Sequence, residues 1–478
     1  MADHHVDIAI IGSGTAGLAA YRKAREVTDH IALIEGGHYG TTCAMVGCMP
    51  SKLLIAAAER AEAIRDAPGF GIHTDEPRID GSAVMARVRR ERDRFVGLVR
   101  ETVAGFDPAH RFMGHATFED PHTLALDDGT RLQAGRIVIA TGSRPVWPST
   151  FEHLGDCLVV NDDIFDWTDL PTSVAVFGGG IIGLELGQAL ARLGVRVRIF
   201  GKGGNVANLT DPVVKARAVS AINKTVSFDP DADVSGIARA NGAVSVTFAA
   251  GGARHTHHFD YLLAATGRKP NVDKLAIERS GQELDARGVP TFDPLTMQAD
   301  ASHLFMAGDA AARIPLLHEA ADDGRIAGIN AASYPNVLAH RRRTPLSVVF
   351  TDPNIATVGR SYAELQTMPC DFAVGEVDFA DQGRAGVMRV NEGVLRVYGE
   401  QGTGLFLGAE MIAPRGEHLA HLLGWAAQSR LDVPTMLDMP FYHPVIEEGV
   451  RTALRDLCAQ LRLRPAPPPG SIDCGPGA

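Results

Sequence analysis

One pattern is written twice along this chain, and it limits the fold more than any other feature. Val6-Asp7-Ile8-Ala9-Ile10-Ile11 runs into Gly12-Ser13-Gly14-Thr15-Ala16-Gly17, then a helical stretch to about Val27, then the strand Ile31 to Glu35. Val174 to Phe177 runs into Gly178-Gly179-Gly180-Ile181-Ile182-Gly183, another apolar helix, and a strand from Val195 to Phe200. A glycine turn alone says little. A strand before it and a helix after it make it a dinucleotide fingerprint. The first glycine permits the turn, the second lets a pyrophosphate approach the helix N-terminus, and the third packs helix on strand. Gly12, Gly14, Gly17, Gly178, Gly180 and Gly183 are therefore candidate cofactor contacts.

An acid closing the second strand holds ribose hydroxyls in such a fold. Glu35 stands there in the first copy. In the second copy the position is Gly201, followed by Lys202, a candidate for a 2′-phosphate. Arg196 and Arg198 add charge nearby, although alternation along the strand can turn them elsewhere. Each copy also has a later strand ending in Ala-Thr-Gly: Ile137 to Ala140 with Thr141 and Gly142, and Leu262 to Ala265 with Thr266 and Gly267. A further strand, Leu304 to Ala307, leads into Gly308-Asp309 and is expected to return the chain to the first domain.

The fold expected is α/β: two Rossmann-like dinucleotide-binding domains plus a C-terminal α+β domain. The boundaries are 1–150 and 271–344 for the first dinucleotide-binding domain, 151–270 for the second, 345–464 for the third, and a flexible tail at 465–478. A length of 478 residues suits about three domains. The helix Glu447 to Leu461 carries a stripe of Val450, Leu454, Leu457 and Leu461.

Composition removes whole classes of function. Apolar residues at 45% and charged residues at 22% are those of a globular chain. A net charge of −11 argues against non-specific nucleic-acid or anionic-lipid binding. No apolar run of about 18 residues predicts a spanning helix. Val6 to Ile11 is too short for a signal sequence, so a cytoplasmic protein is expected.

Of six cysteines, Cys157, Cys370, Cys458 and Cys474 are scattered, while Cys43 and Cys48 are close. A close pair in a cytosolic chain is more often catalytic than structural. No second pair accompanies it, so redox chemistry outranks metal binding and no metal is expected. The pair precedes a helix starting near Pro50. The helix N-terminus and Lys52 both favour thiolate. Two dinucleotide sites and a dithiol suggest electron exchange between a nicotinamide, a flavin and the cysteines.

The run Cys43-Ala44-Met45-Val46-Gly47-Cys48-Met49-Pro50-Ser51-Lys52 resembles the redox disulfide motif of the flavin-dependent pyridine nucleotide–disulfide oxidoreductases. Within that family, Gly178 to Glu185 and the Pro-Ser-Lys after Cys48 are most similar to the dihydrolipoyl dehydrogenases. The resemblance runs through ATGSRP, ATGRKPN, MAGDA and FTDPNIATVG to a histidine near the C-terminus. It implies that the first dinucleotide-binding domain takes FAD, that the second takes NAD(P), and that the third is a dimerisation domain. It implies that Cys43 is the interchange thiol and that Cys48 lies against the flavin. It implies that Lys52 sits by the flavin and pairs with Glu185, and that Asp309 binds the ribityl chain. His443, oriented by Glu448, would be the base, reaching the disulfide of the other subunit of a homodimer. The third domain's apolar stripe would then be interface rather than private core. The implied reaction is oxidation of free dihydrolipoamide, or of a lipoyl domain in a 2-oxoacid dehydrogenase complex, with NAD⁺. The alternative is NADPH-dependent reduction of another disulfide or small oxidant. Mercuric reductases carry a further C-terminal cysteine pair, where this chain has Cys474. Soluble transhydrogenases lack the second cysteine. The family's Thr and Ser after the histidine are Val445 and Glu447 here, and its second glycine before the first cysteine is Thr41.

Overall fold

The computed structural model describes residues 3–463. Cys474 and the tail expected at 465–478 lie outside the described residues.

Strand Asp3–Ile11 lies in a seven-stranded sheet, parallel to Ile31–Glu35 on one side and to Arg131–Ile139 on the other. Ile8, Ala9 and Ile10 are wholly buried, as a strand covered on both faces must be. Leu304–Met306 adds in parallel to Arg131–Ile139, so the chain does come back to this sheet after the second fingerprint. Helix Leu317–Ser333 then packs against helix Thr15–Ala24, closely enough that a Cβ on Gly324 would meet the Ala16 carbonyl.

The second fingerprint lies in a five-stranded sheet ordered Ser227–Asp229, Arg196–Phe200, Ser173–Phe177, Tyr261–Ala264, Leu158–Val159. A three-stranded antiparallel sheet, residues 234–259, covers part of it through Phe248 and Phe259. Two short strands, Ser143–Pro145 and Arg268–Pro270, pair where the chain passes between the two units.

The C-terminal unit is a five-stranded antiparallel sheet with helices Gly416–Gln428 and Glu448–Gln460 against it. The stripe on the last helix is a correction to the sequence reading. Val450, Leu454, Leu457 and Leu461 are all buried within the chain, against the strands Phe372–Asp378 and Val394–Glu400. They are private core. Among the described residues the large apolar side chains left exposed here are Val387, Leu422, Trp425, Met439 and Tyr442.

Two buried carboxylates fasten the third unit to the second. Glu410 accepts from Thr210 N at 2.7 Å, Asp211 N at 2.9 Å and Tyr362 N at 2.9 Å, and from the Thr210 hydroxyl. Asp211 caps helix Pro212–Ile222 through Val213 N and also accepts from Arg396 and the Tyr398 hydroxyl. Burial, with both carboxylates nearby, pushes the Tyr398 hydroxyl pKa up, so it stays a donor.

Candidate active site

The two glycine turns have one geometry. A Cβ on Gly12 would lie 2.4 Å from the Ala140 carbonyl oxygen, and on Gly178 2.1 Å from that of Ala265. Both have φ above +100°, where a side chain is strained. A Cβ on Gly17 or Gly183 would strike the carbonyl of Gly12 or Gly178, which sets the close helix–strand packing. Gly14 and Gly180 face open space, and neither helix has a side-chain cap. Each helix thus offers free N–H groups and its positive dipole end to an anion. These cradles fit dinucleotide pyrophosphates.

In the first unit Glu35 is fixed at the strand end. It accepts from Ser13 N and Oγ at 3.0 and 2.6 Å, and from Gly37 N at 2.9 Å. Thr141 Oγ1 is buried without a hydrogen-bond partner among the described residues. Gly142 leaves the next step open, and Asp309 takes the Ser143 hydroxyl at 2.6 Å. These residues fit FAD, whose flavin shuttles electrons between a nicotinamide and a dithiol.

The second unit differs at Gly201. A Cβ there would lie 2.6 Å from the Pro230 carbonyl oxygen. No acid can stand at this position without moving backbone. Lys202 is exposed beside it, and Gly267 follows the strand Tyr261–Ala264, two places across the sheet. Arg196 and Arg198 point away, bound to His258 O and Ser227 Oγ, with the Arg198 guanidinium 4.2 Å from the centre of the Phe248 ring.

Cys43 lies in the short helix Thr42–Met45, and Cys48 is the first residue of helix Cys48–Asp66. That helix begins two residues before Pro50. Thr41 caps the short helix, its Oγ1 accepting from Ala44 N at 3.1 Å. Asn161 Nδ2 donates to Val46 O at 2.9 Å and ties down the loop between the cysteines. Cys48 is exposed and Cys43 half-buried; interaction with Cys43, and then the charge of Lys52, pushes the Cys48 thiol down to about 7, while Cys48 pushes the Cys43 thiol up. Cys48 is the thiolate of the pair.

Lys52 Nζ donates to Glu185 Oε2 at 2.7 Å and stands 4.6 Å from the centre of the Phe350 ring. Glu185, 4% exposed, accepts the Phe350 N–H at 2.9 Å on its other oxygen. One carboxylate thus joins all three units. Phe350 was not singled out from sequence, because nothing local marks a ring that packs against a lysine.

His443 is 80% exposed, and its Nδ1 lies 3.0 Å from Glu448 Oε2. The histidine holds the Glu448 carboxyl below the usual range. Glu448 also accepts from Val445 N at 3.3 Å and from Arg451 Nη2 at 2.8 Å. Val445 therefore serves through its backbone, so loss of the family's threonine leaves this contact standing. Arg451 was missed, although its spacing from Glu448 is that of a helical ion pair. Within the chain no hydrogen bond joins His443 to either cysteine. Among the described residues no group of three or more His, Cys, Asp or Glu is placed to hold a metal, and no helix is long and apolar enough to cross a membrane.

Family models match almost the whole chain. Residues 6–324 match the pyridine nucleotide-disulphide oxidoreductase model, and residues 346–454 match the dimerisation domain of the same proteins. The dihydrolipoyl dehydrogenase of Geobacillus stearothermophilus is 28% identical over 92% of this chain and 93% of its own. The mercuric reductase of Shigella flexneri is 31% identical over 93% of this chain and 80% of its own. Among solved structures, LpdA from Mycobacterium tuberculosis superposes with a TM-score of 0.80 at 24% identity, covering 94% of this chain and 99% of that one. The HOCl-induced flavoprotein disulfide reductase RclA from Escherichia coli gives 0.78 at 23% identity, with 95% and 99% covered. These two likenesses speak for the fold.

Proposed function

The chain belongs to the pyridine nucleotide-disulphide oxidoreductases, enzymes that use FAD and a pyridine nucleotide, and from that premise we propose that it oxidises dihydrolipoyl groups with NAD⁺ through Cys43 and Cys48. The observation that carries the reading is the pairing of a depressed Cys48 with Lys52, whose carboxylate partner belongs to the second fingerprint helix. The redox helix and the second fingerprint helix meet at that point.

The residues divide the work. A substrate thiolate attacks Cys43 Sγ, and the Cys43–Cys48 bond breaks. Cys48 leaves as thiolate, stabilised by Lys52. The second substrate thiol loses its proton to His443 and attacks the mixed disulfide, releasing the oxidised substrate and the Cys43 thiolate. Glu448 orients His443 through Nδ1, leaving Nε2 to act. The chemistry that FAD would supply when bound is relay of the electron pair from the dithiol to the nicotinamide. Gly12, Gly14, Gly17, Glu35, Thr141, Gly142 and Asp309 hold the flavin nucleotide. Gly178, Gly180, Gly183, Lys202 and Gly267 hold the nicotinamide nucleotide.

The dimerisation domain supports a homodimer. In this reading His443 serves the partner's cysteines, and the exposed Leu422, Trp425, Met439 and Tyr442 fit a face that a second copy covers. The second reading is NADPH-dependent reduction of another disulfide. The closed position at Gly201 and the exposed Lys202 favour it.

The test is nicotinamide absorbance with holoenzyme, dihydrolipoamide and either NAD⁺ or NADP⁺. Fast reduction of NAD⁺ supports the first reading. Slow turnover with both, alongside rapid oxidation of NADPH by another disulfide, replaces it with the second.

A further inference from the structure

Val445 follows His443 by two residues, and its backbone is gripped on both sides. Its N–H meets Glu448 Oε2 at 3.3 Å, and its carbonyl oxygen accepts from Gln382 Nε2 at 2.8 Å. The same oxygen meets the Glu448 N–H only at 3.4 Å, so the glutamine is its stronger partner.

Gln382 is itself fixed. It is 8% exposed, and its Oε1 accepts from Ala385 N at 2.6 Å, which caps helix Gly383–Val387. The orientation of the amide follows from chemistry, since Ala385 offers a donor and Val445 an acceptor. The backbone below is held as well. Gln382 N donates to Phe379 O at 3.2 Å. The wholly buried Phe379 ring lies so close to the last helix that a Cβ on Gly449 would stand 2.9 Å from it. The loop has little of its own to hold it. Tyr442, His443 and Pro444 are all exposed, and Ile446 is its one buried side chain. Glu448 therefore steadies the imidazole from behind, and Gln382 steadies the backbone that carries it.

We propose that Gln382 is a positioning residue for the reaction: by holding the Val445 carbonyl it sets the direction in which His443 presents Nε2. The inference rests on the reading of His443 as the base. Gln382 touches no reacting atom and moves no proton. Losing one such hydrogen bond shifts a local equilibrium by roughly fivefold. A base displaced by a fraction of an ångström loses more, because proton transfer depends steeply on geometry.

Two half-reactions of the holoenzyme separate the roles: flavin reduction by dihydrolipoamide, and flavin reduction by reduced nicotinamide, which needs no base for a dithiol. Gln382→Met removes both side-chain bonds. It should slow the first half-reaction about tenfold and leave the second unchanged. Gln382→Glu, followed at about pH 8 where the carboxyl is ionised, keeps an acceptor for Ala385 N and loses the donor to Val445 O. It should slow the first half-reaction to the same degree, and it carries the test if the methionine variant does not fold. In a His443→Gln background, Gln382→Met should cost less than about twofold further, because a positioning residue acts only through the base. A Gln382→Met rate equal to the wild type would overturn the proposal. So would equal slowing of both half-reactions, or the full loss repeated in the His443→Gln background. A wild-type holoenzyme that dihydrolipoamide fails to reduce, or a His443→Gln rate equal to the wild type, would instead overturn the reading of the site, and this inference with it.

Discussion

Lys52 Nζ and Glu185 Oε2 meet at 2.7 Å, although one belongs to the redox helix and the other to the second fingerprint helix. The lysine helps hold the Cys48 thiol at about 7. Reactivity of Cys48 should therefore rise as pH climbs through 7. In a Cys43→Ser background, where Cys43 no longer contributes, Lys52→Met should move the Cys48 midpoint up by about 1–2 pH units relative to Cys43→Ser alone, the size of a lost neighbouring charge. Alkylation rate against pH measures it, and an unmoved midpoint would remove Lys52 as the counter-ion.

The same asymmetry separates the cysteines. Cys43→Ser and Cys48→Ser should each abolish lipoamide turnover. Cys43→Ser should keep a long-wavelength thiolate–flavin absorbance, because Lys52 still favours the Cys48 thiolate after the interaction with Cys43 is lost. Cys48→Ser should lose it. The opposite assignment would reverse the roles given to the two sulfurs.

His443 lies exposed with Glu448 behind it. His443→Gln should slow the dithiol half-reaction by about 10²–10⁴, the worth of a general base, with flavin binding intact. A heterodimer of one Cys43→Ser chain and one His443→Gln chain has one whole site if histidine and cysteines come from different copies. Its activity should be about half that of the wild type, since symmetry provides two sites. Activity near zero would place the base in its own subunit.

Sequence reading went furthest where a local pattern carries the physics. The fingerprint strands are continuous apolar runs, because helices cover both faces of a parallel sheet. Their glycines sit where backbone contacts leave no room for a Cβ. It failed where a distant segment decides. The stripe on Glu448–Gln460 shows that something covers it, and the covering strands belong to the same chain. Arg196 and Arg198 are drawn off by the three-stranded sheet, whose place beside them no local pattern announces. Phe350 gains its importance from Glu185, far away in sequence.

Gly201 is a similar case, because its limit comes from the Pro230 carbonyl. Gly201→Asp should lower Tm by several degrees and leave NAD⁺ selectivity unimproved, since the carboxylate has no room. Lys202→Ala should reduce kcat/KM for NADP⁺ by about tenfold, through loss of a charge-assisted contact, and leave NAD⁺ unchanged. Equal losses with both nucleotides would show that Lys202 does not face the 2′ position.

The latch at Glu410 gives the sharpest stability test. Its wholly buried carboxylate serves the N–H groups of Thr210, Asp211 and Tyr362. Glu410→Ala strands three donors in a site with little room for water. At about 1–3 kcal/mol for each unsatisfied group, the loss should be about 3 kcal/mol or more. Glu410→Gln keeps one carbonyl acceptor but turns an NH₂ toward donors, so it should fall between. The effect should appear as a lower denaturation midpoint and faster proteolysis between the second and third units, with Cys48 alkylation in the native protein unchanged. A Glu410→Ala protein as stable as the wild type would mean that these backbone groups find other partners and that the remaining ties, Asp211 with Arg396 and Tyr398 among them, suffice to hold the two units together.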